Sequence, residues 1–128
     1  MELLRVVVIN GVDGARRNLK NMLIRHGFRI IAEAEDAISG LQIISSATPD
    51  LIVIEDTTRG WQEIALYAYA NGIAPVLLIV SQEDSVIGFE AASIGITGII
   101  VRPLTERNLA TLAKHAAMVP WSISISPS

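Results

Sequence analysis

The segment Pro49-Asp50-Leu51-Ile52-Val53-Ile54-Glu55-Asp56 decides the fold, because a short apolar run is entered through Pro-Asp and ends in two carboxylates. Its four consecutive aliphatic residues, three of them β-branched, are typical of a strand that is buried on both faces. In an open parallel sheet, ligands collect at the carboxyl ends of the strands. Glu55 and Asp56 are therefore the first candidate functional residues.

Similar apolar runs predict strands at 4–9, 28–34, 75–80 and 98–101, in addition to 50–55. Segments of ten to fifteen residues with helical spacing separate them and predict helices at about 14–26, 37–46, 60–70, 84–93 and 106–117. We expect Asp13, Asp36 and Thr105 to cap three of these helices, and Ile38 to face the core. This alternation predicts a doubly wound α/β fold, a five-stranded parallel sheet with helices on both faces.

Composition excludes several classes of function. The 128 residues include no cysteine, which removes thiol catalysis and disulfides and fits a reducing compartment. The net charge of −3 does not favour binding to nucleic acid. The basic residues of the first helix are interpreted as its solvent-exposed face. No apolar stretch reaches the ~18 residues of a spanning helix, and the N-terminus has no leader pattern. We therefore expect a cytoplasmic protein that does not contact membranes.

Residues 1–119 are predicted to form one domain and residues 120–128 a C-terminal tail. In the tail, Trp121, Ile123 and Ile125 alternate with serines. This pattern is consistent with an edge strand, or with a loose tail that packs only through Trp121. The loose tail is the favoured interpretation.

The order of elements, the third strand led by Pro-Asp and ended by an acid, and the sequence Val101-Arg102-Pro103 resemble the receiver domain of bacterial two-component response regulators. The resemblance covers about residues 4–117 and implies a receiver, or flavodoxin-like, strand order of 2-1-3-4-5. Residues 74–84 also resemble the receivers that precede antitermination (ANTAR) RNA-binding modules, whose RNA-binding helices would lie beyond this chain.

The resemblance implies a phosphorylation site that is largely altered here. In the family, two acids after the first strand hold Mg²⁺, but these positions are Asn10 and Gly11, and Asp13 is expected to have turned into the first helix. Counting from Pro49 puts Glu55 at the phosphoacceptor position, where aspartate is usual. Asp56 is then expected to point the other way and to be solvated.

The remaining family positions are altered as well. Val80 falls at the Ser/Thr position, although a shift of one residue would place Ser81 there, and Ile99 falls at the aromatic switch position. Arg102 replaces the lysine. Because a guanidinium can clamp a carboxylate with two hydrogen bonds, we predict an ion pair between Arg102 and Glu55. The resemblance also implies a cis bond between Arg102 and Pro103.

These positions favour a pseudo-receiver, a signal-transduction module that works without phosphorylation through protein–protein contacts or dimerisation. We expect no enzymatic activity, because no nucleophile, base and orienting group can be assembled, and no cofactor or Mg²⁺. The alternative is a working phospho-acceptor receiver that controls transcription or antitermination. The predicted partners are an effector domain or protein and a second copy of the chain. The homodimer would use the helix at 84–93, the strand at 98–101 and the last helix, with four apolar candidates: Val86, Ile87, Phe89 and Ile94.

Overall fold

A computed structural model of the chain describes residues 2–81 and 95–118. Within these ranges the strands are β1 (Arg5–Ile9), β2 (Arg29–Ala34), β3 (Leu51–Glu55), β4 (Val76–Val80) and β5 (Gly98–Val101). The helices there are α1 (Asp13–Arg25), α2 (Ala37–Ser46), α3 (Trp61–Ala70) and, after β5, α4 (Glu106–Met118). The helix predicted at 84–93 and the tail at 120–128 lie outside the described residues.

The five strands form one parallel sheet in the order β2-β1-β3-β4-β5, which confirms the predicted fold class and strand order. Ile9 is level with Ile54, and Glu55 is level with Ile79. The carboxyl ends of the central strands therefore meet at one edge of the sheet, with the end of β3 between those of β1 and β4.

The core has two layers because both faces of the sheet are covered. Alternate residues of β1, β3 and β4 pack with α2 and α3 on one face, and the remaining residues pack with α1 and α4 on the other. Residues 51–54 are fully buried, as the continuous apolar run predicts for a central parallel strand. No helix in the described part of the chain is both long and apolar enough to cross a bilayer.

The helix starts agree with the sequence in two cases and differ in a third. The side chains of Asp36 and Thr105 accept hydrogen bonds from the backbone N–H groups of Ser39 and Asn108, as predicted for caps. The cap predicted at Asp13 is wrong, because α1 begins at Asp13 itself and its carboxylate pairs with Arg16 one turn later.

The predicted burial of Ile38 is also wrong. This side chain is 74% exposed, whereas Gly40 and Ile44 are the buried residues of α2. Ile38 belongs to the first turn of α2, where the helix presents this side chain to solvent rather than to the sheet.

Candidate functional site

The candidate site lies at the carboxyl edge of the sheet, where three polar side chains from different segments meet. Asn10 follows β1, Glu55 ends β3, and Arg102 follows β5. The backbone N–H of Arg102 donates to the carbonyl oxygen of Val80 at 2.9 Å, which fixes this residue beside the end of β4. The Arg102–Pro103 bond is cis, as the resemblance implies. The long Arg102 side chain thus spans β4 to reach β3.

Glu55 and Arg102 form the predicted ion pair. Arg102 Nε donates to Glu55 Oε2 at 2.6 Å, and Arg102 Nη2 donates to Glu55 Oε1 at 2.7 Å, so the contact is bidentate. The Glu55 side chain is only 5% exposed, while that of Arg102 is 30% exposed. The hydrogen bonds from Arg102 to Glu55 outweigh desolvation and raise the pKa of Arg102, so its charge is retained in the pocket.

Asn10 supplies a third donor to the same carboxylate. It is fully buried, and its Nδ2 donates to Glu55 Oε1 at 2.6 Å, while its Oδ1 accepts from the backbone N–H of Val12 at 2.8 Å. The opposite orientation of the amide would place oxygen against the carboxylate and nitrogen against an N–H group, so the hydrogen bonds define the orientation. The amide oxygen of Asn10 is therefore already engaged.

The positions next to Asn10 add no acid to the pocket. Gly11 is exposed, and a Cβ added there would lie 3.3 Å from the backbone oxygen of Glu35. The side chain of Asp13 is 73% exposed and pairs with Arg16, not with a group in the pocket. Asp13 thus does not replace the missing acid, in agreement with the sequence-based prediction.

This set of donors does not fit the Mg²⁺ ion that the fold implies. Mg²⁺ requires near-octahedral oxygen ligands and is usually held by carboxylates. Here both oxygens of Glu55 accept from nitrogen donors, and a guanidinium cation lies against them. In the described part of the chain, no three His, Cys, Asp or Glu residues are grouped as a metal site would require.

The prediction that Asp56 is solvated is wrong. This residue is half-buried, and its Oδ1 accepts from the backbone N–H of Ser81 at 3.0 Å. Its own N–H donates to the carbonyl oxygen of Ile79 at 2.9 Å. Asp56 therefore attaches the end of β3 to the segment that leaves β4, and its charge also contributes to the raised pKa of Arg102.

The three residues at the family's switch positions, Val80, Ser81 and Ile99, differ in burial. Val80 is buried at the end of β4, opposite Val101, whereas Ser81 is half-buried and uses its backbone N–H to contact Asp56. Ile99 lies on the edge strand β5 and is 38% exposed. The four predicted interface residues, Val86, Ile87, Phe89 and Ile94, lie outside the described residues.

Two residues near the site were missed from sequence. Arg16 was assigned to a solvated helix face, but its side chain is 14% exposed and its Nη1 donates to the backbone oxygen of Asn10 at 2.8 Å. Hydrogen bonding to Glu33 is the main cause of the raised pKa of Arg16. Thr58, two residues beyond Asp56, is buried, and its hydroxyl has no partner among the described residues. The sequence indicates that Arg16 lies near the site only through its position, one turn into the helix that follows β1. No feature of the sequence indicates that Thr58 is buried there.

Comparison with known proteins agrees with this fold. Chemotaxis protein CheY-3 of Vibrio cholerae is 28% identical over 111 residues, which cover 83% of this chain and 85% of that protein. Chemotaxis protein CheY of Pseudomonas aeruginosa is 28% identical over 113 residues, covering 83% and 90%. The signal receiver domain of the response regulator NarL from Mycobacterium tuberculosis superposes with a TM-score of 0.86 at 21% identity, over 91% of this chain and 98% of that one. No protein-family model matches the chain.

In sequence and in fold, the chain is therefore similar to CheY-like receiver domains of two-component response regulators. Each named protein is a relative in sequence or in fold.

Proposed function

We propose that this chain is a cytoplasmic pseudo-receiver that signals through protein–protein contacts without being phosphorylated. The observation that carries the proposal is that both oxygens of the Glu55 carboxylate accept hydrogen bonds, from two donors of Arg102 and one donor of Asn10. A carboxylate oxygen that attacks a phosphoryl donor must direct a lone pair at the phosphorus, and here hydrogen bonds to both oxygens lower their nucleophilicity and hold the side chain in place.

The charges of the pocket also oppose phosphorylation. Transfer of a phosphoryl group to a carboxylate needs cations that neutralise the incoming oxygens, a role that Mg²⁺ takes in sites of this type. Asn10 and Gly11 offer no acidic ligand for that ion. Releasing Glu55 from Arg102 would leave a buried carboxylate without a charge partner, which is strongly unfavourable. We therefore expect neither Mg²⁺ binding nor a phosphoenzyme.

The ion pair has a positive consequence for signalling. Glu55 places one negative charge where a phosphorylated residue would carry about two. Through Arg102 this charge joins the end of β3 to the end of β5, so the carboxyl edge of the sheet is held in a single arrangement. Such a domain transmits information by being bound or assembled, since its own site is not switched by phosphorylation.

A contact surface on β5 is consistent with this function. Ile99 and Val101 alternate along this edge strand, so they lie on the same face, and they are 38% and 40% exposed. Exposed aliphatic side chains on an edge strand favour association with another protein. We propose a homodimer through β5, α4 and the residues 84–94 as one mode of assembly, and a downstream effector domain as the other partner.

Phosphorylation is tested by incubating the chain with Mg²⁺ and acetyl phosphate and measuring its intact mass, and by titrating beryllofluoride while following tryptophan fluorescence. Trp61 is a suitable reporter because its backbone N–H donates to Thr58 at 3.2 Å, directly after the site. We expect no adduct and no saturable change in fluorescence. A stoichiometric phosphoryl adduct on the unsubstituted chain would establish the phospho-acceptor alternative.

A matched variant makes the negative result interpretable. Asn10→Asp, Gly11→Asp, Glu55→Asp and Arg102→Lys together introduce the acids and the lysine that the family carries at these positions. The combined variant should gain an adduct under the same conditions, which shows that the fold itself permits the reaction. Sedimentation of the unsubstituted chain at about 50 μM tests the dimer, because a micromolar Kd would populate it there. A strict monomer would remove the homodimer from the proposal.

A further inference from the structure

A small apolar groove lies at the amino ends of the strands, on the opposite edge of the sheet from Glu55. Its volume is about 320 Å³. It is lined by the residues before β1, the residues before β2 and the end of α4. The apolar side chains are Leu3, Leu4, Phe28 and Met118, and the polar ones are Glu2, His26 and Lys114.

The groove combines a buried floor with exposed apolar walls. Phe28 is 3% exposed, whereas Leu3 and Met118 are 53% and 76% exposed. Single exposed aliphatic residues are normal on protein surfaces, but two that flank one apolar depression form a binding feature. Glu2 and Lys114 contribute opposite charges to the lining, so the groove does not favour a charged occupant of either sign, and its apolar side chains suit an uncharged apolar segment.

We propose that residues 119–128 dock in this groove and that the Trp121 indole is the anchor. The segment starts directly after Met118, which itself lines the groove. Trp121 follows three residues later and can therefore lie up to about 10 Å away along the chain, so the groove is within its reach. Residues 119–128 contain no Lys, Arg, Asp or Glu, which matches the apolar lining.

The energetics favour an occupant from the same chain. An indole offers about 150–250 Å² of surface for burial, and a volume near 320 Å³ is at the lower end of sites that hold a small molecule, so it suits one ring system. A short tether gives the segment an effective concentration in about the millimolar range. A contact that would be weak between separate molecules is then sufficient. This proposal is independent of the state of Glu55.

Acrylamide quenching of Trp121 tests the proposal. The chain has two tryptophans, and Trp61 is 4% exposed, so subtracting the signal of Trp121→Phe from that of the full chain isolates Trp121. We expect its quenching constant to be at least about threefold lower than that of free N-acetyl-tryptophanamide, because quenching follows the undocked fraction. Leu3→Glu should restore the free value, and Ile38→Glu should not.

The choice of variants separates docking from unfolding. Leu3 and Ile38 are both exposed aliphatic residues, and Ile38 lies in the first turn of α2, away from the groove. Circular dichroism establishes that both variants fold. Quenching of Trp121 at the free rate in the full chain would overturn the proposal, and so would protection that Leu3→Glu leaves intact. Protection that disappears on dilution from about 50 to 1 μM would overturn it too, since the occupant would then be a second copy.

Discussion

Replacing Glu55 by glutamine should destabilise the domain by about 2 kcal/mol, and the structure gives the reason. All three partners of the Glu55 carboxylate are donors. Glutamine has one acceptor oxygen and one NH₂ group. Even if its oxygen keeps the bonds from Asn10 and from Arg102 Nη2, its NH₂ group faces the donor Arg102 Nε.

The magnitude follows from the burial of the two partners. Removing one member of a fully buried ion pair costs about 3–5 kcal/mol. Because 30% of the Arg102 side chain is exposed, water can solvate part of the guanidinium, which lowers the expected value to about 2 kcal/mol. For a domain of this size the melting temperature should fall by about 6–10 °C.

The assay is a double-mutant cycle in urea, followed by circular dichroism and tryptophan fluorescence. It compares Glu55→Gln, Arg102→Gln and the double variant, and we expect a coupling energy of about 1–2 kcal/mol. Glu106→Gln is the matched control, because Glu106 also accepts two hydrogen bonds from one arginine, Arg25, but in a contact where both side chains are at least 36% exposed. The control should destabilise the chain clearly less.

A coupling energy below about 0.5 kcal/mol would refute the reasoning, since neighbouring side chains that stabilise each other exceed that value. The same conclusion would follow if Glu55→Gln were no more destabilising than the control. Either result would mean that water solvates both side chains and that Arg102 does not hold the Glu55 carboxylate in the folded chain.

Two further predictions concern packing and pH. Gly40→Ala should lower the free energy of unfolding measured in urea by about 1–3 kcal/mol, because the added Cβ would lie 3.0 Å from Ile64 and 3.1 Å from Ile9. Gly14→Ala in α1 is the control. A Cβ there would have no atom within 4 Å, so this substitution should raise the free energy of unfolding by about 0.5–1 kcal/mol. Hydrogen bonds from a lysine and an arginine lower the pKa of Glu33 in the folded chain, so its contribution to stability is complete at neutral pH and is lost on acidification through that lowered pKa. Glu33→Gln should therefore flatten the acid side of a plot of unfolding free energy against pH, and an unchanged slope would contradict this assignment.

The fold could be predicted because its determinants are contained in continuous segments. Residues 51–54 are apolar at every position, and only a strand covered on both faces buries them all. The contact between Glu55 and Arg102 could be predicted because the resemblance places both residues in one pocket, at the phosphoacceptor and lysine positions, and because their charges are opposite.

The remaining features depend on loop geometry and on helix orientation, which periodicity does not encode. Arg16 looks like other basic residues of α1, yet only 14% of its side chain is exposed, because it donates hydrogen bonds to the backbone oxygen of Asn10 and to the carboxylate of Glu33. Asp56 was expected to be solvated, but the chain leaving β4 turns so that the Ser81 N–H faces it. Each contact involves a residue that directly follows a strand, Asn10 after β1 and Ser81 after β4, and tertiary packing sets the backbone conformation there.

The identities of Asn10 and Arg102 depend on each other through charge. Asn10 Nδ2 lies 2.6 Å from Glu55 Oε1, and an aspartate in its place would put two carboxylates in contact, an arrangement that needs a further cation. With asparagine, one guanidinium balances one carboxylate, and the amide adds a donor without adding charge. Arginine is suited to this balance because its fork engages both oxygens of Glu55, which the single ammonium group of a lysine does not do. Asparagine after β1 and arginine after β5 are therefore one electrostatic solution, in which the buried carboxylate and the guanidinium form a hydrogen-bonded pair with no net charge.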